Sequence, residues 1–325
     1  MNVLVTGANG LLGHHVVMEL IKQHHAVQII VRNKQNIYFD LNLVTVFVGD
    51  FTDKKILFLA AGGCNAIIHI AATTAPDLLH SEDYRKINVL GVAQIIKIAE
   101  ELGIQRIVYI SSANTVGFGN EQLLSDERFP IEYPFSVSFY AQSKVEAEQL
   151  MVEASKKPDQ HVVIINPSFM LGAYDTKPGS GRLLLLGYKR RVLFVPKGGK
   201  NFVAVRNVAV AVCNALKMGR NGEKYLASGT NLSFKAYYTR QKQIGNYRQC
   251  IIELPDLLLL SLGMIGDLIR KYGIKTELCT MNIRQLLIRE YYSNQKAKAE
   301  LNLPETDIKV AIKETFDWFK EHKMI

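Results

Sequence analysis

A tyrosine and a lysine four positions apart, Tyr140 and Lys144, are the residues whose types and spacing most directly suggest chemistry. On a helix this spacing places both side chains on one face, one turn apart. A free tyrosine has a pKa near ~10 and is a poor acid or base at neutral pH, but a neighbouring ammonium favours the phenolate and lowers that pKa. The pair is therefore predicted to transfer a proton to or from an oxygen atom.

Two adjacent serines end a predicted strand upstream of this pair. We predict that the Ser112 hydroxyl orients a substrate oxygen and stabilises the charge that develops on it. Ser111 remains the alternative, because one sequence does not decide which side chain faces the site, and Thr115 could also contribute. Asn88 either holds a water or a backbone kink near Lys144, or satisfies buried backbone groups.

A glycine-rich turn lies close to the start of the chain. The apolar strand-like run Val3–Thr6 is followed by Gly7, Gly10 and Gly13 and then by a segment with helical spacing. Glycine lets such a turn tighten and lets backbone N–H groups approach a phosphate, and a helix N-terminus adds partial positive charge. Strand, turn and helix start together predict a dinucleotide pyrophosphate site. The predicted contacts in this turn are Gly7, Asn9, Gly10, Leu11, Leu12 and Gly13.

Strand and helix signals alternate through the first 170 residues. Apolar strands separated by helices are typical of right-handed βαβ units, in which helices cover both faces of a parallel sheet. We therefore predict an α/β fold with a Rossmann-type doubly wound parallel sheet. The predicted strands are Val3–Thr6, Val27–Val31, Val44–Val48, Ala66–Ile70, Arg106–Ile110 and His161–Ile165, and the predicted helices include Leu11–Lys22, Ile87–Leu102 and Gln142–Ala154.

The pattern changes after about residue 170, where Gly, Pro and Lys become frequent. We predict a dinucleotide-binding Rossmann domain over residues 1–170 and a smaller, mostly C-terminal substrate lobe over residues 171–201 and 230–325. Residues 202–229 are expected to return to the Rossmann domain. The strand-like runs that look like additions to its sheet are Phe202–Val205 and Lys224–Ala227.

Several short motifs follow one another in a characteristic order. Three motifs occur in sequence: the glycine spacing Thr-Gly-x-x-Gly-x-x-Gly, the Ser-Ser at the end of the fifth predicted strand, and the Tyr-x-x-x-Lys pair. Together they resemble the extended short-chain dehydrogenase/reductase superfamily, and most of all its NAD-dependent epimerase/dehydratase and dihydroflavonol-reductase-like groups. The chain departs from the family at Asn207, where a late signature usually carries Asp. Other matching segments are His69–Ala72, Asn88–Gly91, Asn166–Gly172 and Phe202–Ala209.

The resemblance implies a nicotinamide dinucleotide cofactor and further contacts to it. Lys144 is expected to hydrogen-bond the ribose hydroxyls as well as to support Tyr140. Asp50 resembles the residue that meets adenine, although its loop context alone suggests a cap for the next helix. The superfamily also implies a homodimer formed through the helices that follow the fourth and fifth strands. Additional cofactor contacts are expected from Phe51, Ala71, Ala72, Pro167 and Ser168.

The end of the second predicted strand bears on the choice between NADP and NAD. An acidic residue at this point binds the 2′-hydroxyl of NAD, whereas an arginine accommodates the 2′-phosphate of NADP. This chain has Arg32 and then Asn33 and Lys34, with no acid. NADP is therefore the predicted cofactor and NAD the alternative, which applies if Arg32 is simply a solvated residue at the end of the strand.

Charge and composition limit the partners. The first 160 residues carry a net charge of −4 and the remaining 165 carry +13. A basic half attracts anionic substrates, acidic membranes or nucleic acid, but no nucleic-acid-binding motif accompanies it, so we expect a small-molecule substrate and no nucleic acid. The start of the chain lacks the features of a secretory signal, and we expect a cytoplasmic protein. The four scattered cysteines are interpreted as reduced, mostly packed thiols and His69 as a packed core residue, with no metal site.

An apolar run, Leu257–Ile265, is the strongest hydrophobic segment of the second half. It is shorter than the ~18–20 residues of a membrane span. We expect it to form a helix packed over the site, with no membrane contact. The alternative is a lid over an apolar pocket, or a segment that touches a membrane surface.

Three functions are compatible with these motifs. The leading hypothesis is an NAD(P)-dependent oxidoreductase that transfers hydride between nicotinamide and a carbonyl or secondary alcohol of a small, moderately apolar substrate. The alternative is an NAD-dependent sugar or nucleotide-sugar epimerase/dehydratase. A non-catalytic NADP-sensing regulator is disfavoured, because such proteins tend to lose the Tyr/Lys pair. In an epimerase the basic lobe would hold a diphosphate through Arg182, Lys189, Arg190, Arg191 and Lys200.

Overall fold

The centre of the protein is a parallel sheet of seven strands. The structure is a computed structural model that describes residues 1–325. These strands are Asn2–Thr6 (β1), Ala26–Val31 (β2), Val44–Val48 (β3), Ala66–His69 (β4), Arg106–Ile110 (β5), His161–Pro167 (β6) and Lys224–Ala227 (β10). They lie in the order β3-β2-β1-β4-β5-β6-β10. The strand order reverses on the two sides of β1, as in a doubly wound Rossmann sheet, and this confirms the predicted fold class.

Helices cover both faces of this sheet, so the strands are buried on both sides. The helices are Leu11–Lys22 (α1), Lys54–Ala61 (α2), Ser81–Asn88 (α3), Leu90–Glu101 (α4), Phe139–Ser155 (α5) and Val205–Asn214 (α7). Val3 and Val5 point to the core beneath α1 and α7, whereas Leu4 points to the core beneath α2, α4 and α5. Side chains on both faces of the strand are therefore buried, and this is why its sequence is continuously hydrophobic.

The helix predicted over residues 87–102 is in fact two helices. The first begins earlier, at Ser81, and the chain is interrupted at Val89 before α4 begins at Leu90. A one-residue break leaves the apolar periodicity almost unchanged, so the sequence pattern does not reveal it. Helix α5 also begins three residues before the predicted start, which places Tyr140 in its first turn.

A second lobe lies over the carboxyl edge of the sheet. Its core joins Phe234 and Tyr237 to Phe316 and Phe319. The strands are Phe169–Leu171 (β7), Val192–Val195 (β8), Gly199–Ala204 (β9), Thr230–Ser233 (β11), Cys250–Glu253 (β12) and Arg289–Glu290 (β13). The helices are Arg182–Gly187 (α6), Phe234–Ile244 (α8), Asp256–Lys271 (α9), Thr280–Leu287 (α10), Gln295–Leu301 (α11) and Ile308–Glu321 (α12).

One of the two strands expected to join the main sheet does not do so. Lys224–Ala227 lies beside β6 as expected, but Phe202–Ala204 belongs to β9, which pairs with β7, β11 and β13 in a separate small sheet. The physical reason is the burial of Phe202 in the lobe, where its ring stacks on Tyr237 with centroids 4.6 Å apart. The chain returns to the Rossmann core only at α7, which packs against α1.

The C-terminal segment is divided between the two cores. Ala297 and Leu301 of α11 are buried against the Rossmann side, whereas α12 packs in the lobe. None of the helices combines the length and hydropathy that a bilayer-crossing segment requires. The four cysteines are free thiols, and no group of three or more His, Cys, Asp or Glu side chains is arranged to hold a metal ion.

Candidate active site

Predicted site residues lie along one edge of the sheet. In a doubly wound fold the carboxyl ends of the strands form the ligand-binding crevice. Each of six neighbouring strands contributes one predicted residue at or within two residues of its carboxyl end. In strand order from β1 to β6 these residues are Gly7, Arg32, Asp50, Ala71, Ser112 and Pro167.

Two glycines in the turn after β1 cannot be replaced without strain. Gly7 has φ +74°, and a Cβ there would lie 2.8 Å from the backbone nitrogen of Ala71. A Cβ on Gly13 would lie 2.0 Å from the carbonyl oxygen of Gly7. At Gly10, by contrast, a Cβ would meet only that same oxygen at 3.4 Å, an ordinary contact. The glycines therefore allow the turn to fold tightly against both α1 and the end of β4.

The N-terminus of α1 is suited to an anion. The cap residue Gly10 has no side chain to accept the first N–H groups, and the first turn contains no acid. The free N–H groups and the helix dipole make this end a ready site for a pyrophosphate, so the turn fits a dinucleotide. Leu12 is buried in the core, so its side chain anchors the helix, whereas Asn9 and Leu11 are partly exposed.

The Thr6 side chain joins the ends of β1 and β4. Its Oγ1 accepts hydrogen bonds from the backbone nitrogens of Ile70 (3.2 Å) and Ala71 (3.3 Å) and is 2.8 Å from Nδ1 of His69. Burial, with a smaller effect of Lys144, lowers the pKa of His69 to about 3, so this imidazole is neutral. The interpretation of His69 as a packed core residue is confirmed, and Ala71 is placed beside Gly7.

The residues predicted near the adenosine differ in how they are engaged. Arg32 directly follows β2 and is exposed, with no ion-pair partner. The Asp50 carboxylate accepts hydrogen bonds from the backbone and hydroxyl of Thr52, at 2.9 and 2.8 Å. It does not cap α2; Asp53 does, because its carboxylate reaches the free N–H groups of that helix. Phe51 packs on His69, with ring centroids 5.2 Å apart.

Ser112 is the serine that lies near the Tyr140 phenol. Burial raises the pKa of Tyr140, and the nearby Ser112 hydroxyl opposes this rise. Ser111 is buried, and its Oγ has no hydrogen-bond partner. The structure therefore places Ser112, rather than Ser111, beside the phenol. The expected lowering of the Tyr140 pKa by Lys144 does not appear, because burial dominates.

Lys144 lies beneath the crevice, almost completely buried. Its Nζ donates a hydrogen bond to the Ile110 carbonyl oxygen at 2.9 Å and lies 3.4 Å from the Tyr109 hydroxyl. Burial lowers the pKa of Lys144 to about 7, and the Glu148 carboxylate opposes this shift. The ammonium of Lys144 is therefore only partly populated near neutral pH.

A buried polar network, which the sequence analysis missed, supports this site. Glu148 lies one turn after Lys144 and accepts hydrogen bonds from Thr115 at 2.7 Å and Asn166 at 2.6 Å. It also pairs with Lys224 of β10. Thr115 donates to this network rather than facing the crevice. The four-residue spacing after Lys144 was the available signal, since it places a carboxylate on the same helix face.

Asn88 ties the loop after β4 to helix α5. Its Oδ1 accepts from the backbone nitrogen of Thr73 at 2.8 Å, and its Nδ2 donates to the Thr73 carbonyl oxygen and to Ser143 Oγ. Ser143 in turn donates to the Tyr140 carbonyl oxygen at 2.7 Å. Of the two roles considered for Asn88, the structure therefore supports satisfaction of buried backbone groups.

The segment after β6 is anchored in the small sheet of the lobe. Pro167 is buried, and the Ser168 hydroxyl donates to Asn201 Oδ1 at 2.6 Å. Asn207, which replaces the family's usual Asp, is buried and accepts a hydrogen bond from Thr306 at 3.0 Å. Its amide therefore connects α7 to the segment before α12.

The sequence has relatives among known reductases and dehydrogenases. The sequence model of the NAD dependent epimerase/dehydratase family matches residues 3–227. A Synechocystis sp. protein whose name refers to dihydroflavonol 4-reductase is 28% identical over 98% of this chain and 94% of its own length. Sterol demethylase protein B of Methylococcus capsulatus is 27% identical over 100% of both chains. A 3-beta-hydroxysteroid dehydrogenase of Mycolicibacterium neoaurum is 30% identical over 92% of this chain and 86% of its own length.

Solved structures share the whole fold. The crystal structure of gox2253 has a TM-score of 0.84 at 28% identity and covers 98% of both chains. The UDP-glucose 4-epimerase of Thermus thermophilus, solved as a complex with NAD, has a TM-score of 0.76 at 19% identity, over 98% of this chain and 99% of its own. At that identity the second likeness concerns the fold alone.

These findings confirm the family resemblance and the enzyme class predicted from the motifs. Two of these relatives are named as a reductase and a dehydrogenase, and the family is named for NAD dependent epimerases and dehydratases. An NAD(P)-dependent oxidoreductase or epimerase is therefore the class of this enzyme. The chain belongs to the NAD dependent epimerase/dehydratase family.

Proposed function

We propose that this protein is an NADP-dependent reductase or dehydrogenase that acts on a carbonyl or secondary alcohol of an apolar substrate. The observation that carries the proposal is that the Tyr140 phenol lies near the Ser112 hydroxyl, beside the carboxyl ends of the strands. A phenol and a hydroxyl that lie close together can hold a single substrate oxygen between them.

The glycine turn and the N-terminus of α1 would hold the pyrophosphate of the cofactor. Further contacts are proposed from Asp50, Phe51, Ala71, Ala72, Pro167 and Ser168. When bound, a nicotinamide supplies or accepts the hydride. The exposed Arg32 guanidinium, with no ion-pair partner of its own, supports NADP, because it is available to a 2′-phosphate.

Three side chains would provide proton transfer, charge stabilisation and support of the phenolate. Tyr140 donates its phenolic proton to the carbonyl oxygen during reduction, or accepts one from the alcohol during oxidation. Ser112 donates a hydrogen bond to the same oxygen and stabilises its developing negative charge. Lys144, when protonated, favours the phenolate form of Tyr140 and hydrogen-bonds the ribose.

An apolar, ring-containing substrate is supported by the names of the relatives. Two of them are named for sterol or steroid chemistry and match nearly the whole chain, including the lobe that forms the substrate side.

A nucleotide-sugar epimerase is the second candidate, because the family model and the basic lobe favour it. The geometry weakens the predicted diphosphate site. Arg182 pairs with Glu277 and Lys200 pairs with Glu290, which leaves Lys189, Arg190 and Arg191 exposed without ion-pair partners. A diphosphate would have to compete with two existing ion pairs.

A cofactor-oxidation screen tests the proposal. Purified protein is mixed with NADPH or NADH and with steroid ketones, smaller aryl ketones or UDP-glucose. We expect NADPH to be consumed with an apolar ketone. Epimerisation of UDP-glucose with NAD, and no turnover of ketones, would establish the second candidate instead. Tight NADPH binding with no turnover of any compound would indicate the regulator.

A further inference from the structure

Helix α9 presents an apolar face to solvent. Leu257 is 76% exposed, Met264 59% and Leu268 55%. Together with Leu258, Leu262, Ile265 and Tyr272 these residues recur at helical spacing along one side. On the opposite side Gly263 and Gly266 are buried against Thr280 and Leu278, at the start of α10. The helix is therefore packed through a narrow glycine stripe, and its broad apolar face is left uncovered.

A second apolar face adjoins α9. Strands β8 and β12 form a parallel ladder in which Val192 is opposite Cys250 and Phe194 is opposite Ile252. All four residues are exposed. They lie on one face of the ladder, because side chains two apart share one face of a strand. The chain leaves β12 at Glu253 and enters α9 at Asp256. The ladder and the helix are thus joined by a short connection, and we refer to residues 192–195 and 250–272 together as the docking surface.

Basic side chains surround this surface. Lys189, Arg190 and Arg191 directly precede β8, and Arg248 lies just before β12, so all four cluster at the same end of the parallel ladder. At the far end of α9 lie Lys271 and Lys275. These six side chains are exposed and form no ion pairs.

The acids near this surface largely have partners already. Glu253 is paired with Lys235, and Glu277 with Arg182. Asp267 accepts a hydrogen bond from the backbone of Thr280, and Asp256 lies in the first turn of α9, where an acid complements the helix dipole. The charge available to a partner is therefore mainly positive.

The exposure of α9 contradicts the sequence-based expectation of a helix packed over the site, and we propose instead that the docking surface binds the surface of an anionic lipid bilayer. An apolar helix face flanked by lysine and arginine is the composition of helices that lie in the plane of a membrane interface. Helix α9 has 16 residues and is about 24 Å long, which suits this orientation. A second copy of the chain is a poorer occupant, because a symmetric contact would bring two sets of basic residues together.

The position of the surface connects it to the active site. Arg270 of α9 donates to the Leu78 carbonyl oxygen at 2.9 Å, and Asn282 of α10 donates to Pro76 at 3.4 Å. Leu78 and Pro76 belong to the loop after β4, whose Ala75 carbonyl oxygen accepts from the Tyr84 hydroxyl. Tyr84 lies against Tyr140, with ring centroids 6.2 Å apart. Helix α9 therefore lies between the docking surface and the loop that borders the crevice.

Vesicle co-sedimentation without cofactor or substrate tests the proposal independently of the proposed reaction. The full chain is mixed with vesicles of phosphatidylcholine alone, or of phosphatidylcholine with phosphatidylglycerol, in low and high salt. We expect binding to the phosphatidylglycerol vesicles that decreases in high salt, because screening weakens the attraction of the basic residues. Failure to sediment with these vesicles would overturn the proposal.

Two double variants separate the apolar and basic contributions. Leu258→Glu/Ile265→Glu should lower the partition coefficient about ten-fold or more, because the apolar face no longer enters the interface. Arg190→Gln/Arg191→Gln should lower it about five-fold for each charge removed. Leu59→Glu is the control for a glutamate added elsewhere, since Leu59 of α2 is a 62% exposed leucine outside this surface. Thermal unfolding establishes that each variant is folded.

Two outcomes would contradict the proposal. Equal sedimentation of all variants and the wild type would remove the docking surface from any role in binding. Self-association without vesicles that Leu258→Glu/Ile265→Glu abolishes would identify a second copy of the chain as the occupant. Sedimentation velocity on the wild type and this variant distinguishes that case.

Discussion

The ammonium of Lys144 donates a hydrogen bond to the carbonyl oxygen of Ile110 at 2.9 Å. This bond joins the first turns of α5 to the last residue of β5. Ser112 follows β5 by two residues and Tyr140 precedes Lys144 by one turn, so the same bond helps to bring the phenol near the serine. A lysine at this position therefore positions the candidate acid as well as influencing its charge.

Tyr140→Phe tests the proposed proton transfer. The substitution removes only the phenolic oxygen and keeps the ring, so folding and cofactor binding should be retained. Proton transfer by a positioned group typically contributes ~10²–10⁴-fold to a rate, and we expect kcat to fall by about that factor on any accepted substrate. Steady-state kinetics and fluorescence titration of the cofactor measure both effects. Turnover close to that of the wild type would remove Tyr140 from its proposed role.

Lys144→Met should change the pH dependence of stability. Burial lowers the pKa of Lys144 to about 7, whereas an unfolded lysine has a pKa near ~10.4. Between these values the unfolded chain binds a proton that the folded protein does not, so the free energy of unfolding rises with pH across this window. The variant should lack this rise. Urea denaturation from pH 7 to about pH 10 compares the two proteins, and parallel curves would contradict the lowered pKa.

Lys144→Met should also be more damaging to catalysis than Tyr140→Phe. It removes the support for the phenolate and a proposed ribose contact, so both kcat and cofactor affinity should decrease. The two residues act as a unit, and the double variant should therefore lose much less than the product of the single losses. Fully multiplicative losses would show that the residues contribute independently.

Arg32→Asp tests the cofactor preference. Charge-assisted hydrogen bonds to a phosphate are typically worth about 1.5–3 kcal/mol, so NADPH binding should weaken about 10- to 150-fold. NADH binding should be unchanged or improved. Fluorescence titration of the wild type and the variant with NADPH and with NADH gives the four affinities. Equal affinity of the wild type for NADPH and NADH would leave Arg32 without the proposed role.

Gly13→Ala and Gly10→Ala form a matched pair in the phosphate turn. A Cβ on Gly13 would lie 2.0 Å from the Gly7 carbonyl oxygen, so the turn or α1 must shift. We expect a loss of about 1–3 kcal/mol in the free energy of unfolding. A Cβ on Gly10 would lie 3.4 Å from the same Gly7 oxygen, and φ of Gly10 is −91°. The free energy of unfolding of Gly10→Ala should therefore change by less than about 0.5 kcal/mol. Urea denaturation of both variants decides between these effects.

The motifs predicted much of the site because each one is local. The strand, glycine turn and helix start occupy consecutive residues, and Tyr140 and Lys144 lie on one helix, so spacing alone determines their relationship. The parallel sheet followed in the same way from the alternation of strands and helices. Glu148 carried the same local signal, four residues after Lys144, but a carboxylate on a helix is usually solvated and its burial is not visible in the pattern.

Other features depend on contacts between distant parts of the chain. Phe202 looked like part of the main sheet, but its ring stacks on Tyr237, and that contact places β9 in the lobe. The choice between Ser111 and Ser112 required the position of Tyr140, and the lowered pKa of Lys144 required the packing around it. The apolar run in α9 would read the same whether buried or exposed. The sequence alone therefore determined the motif order, the sheet and the Tyr/Lys pair, whereas burial, which depends on long-range packing, decided side-chain direction, ionisation and the uncovered face.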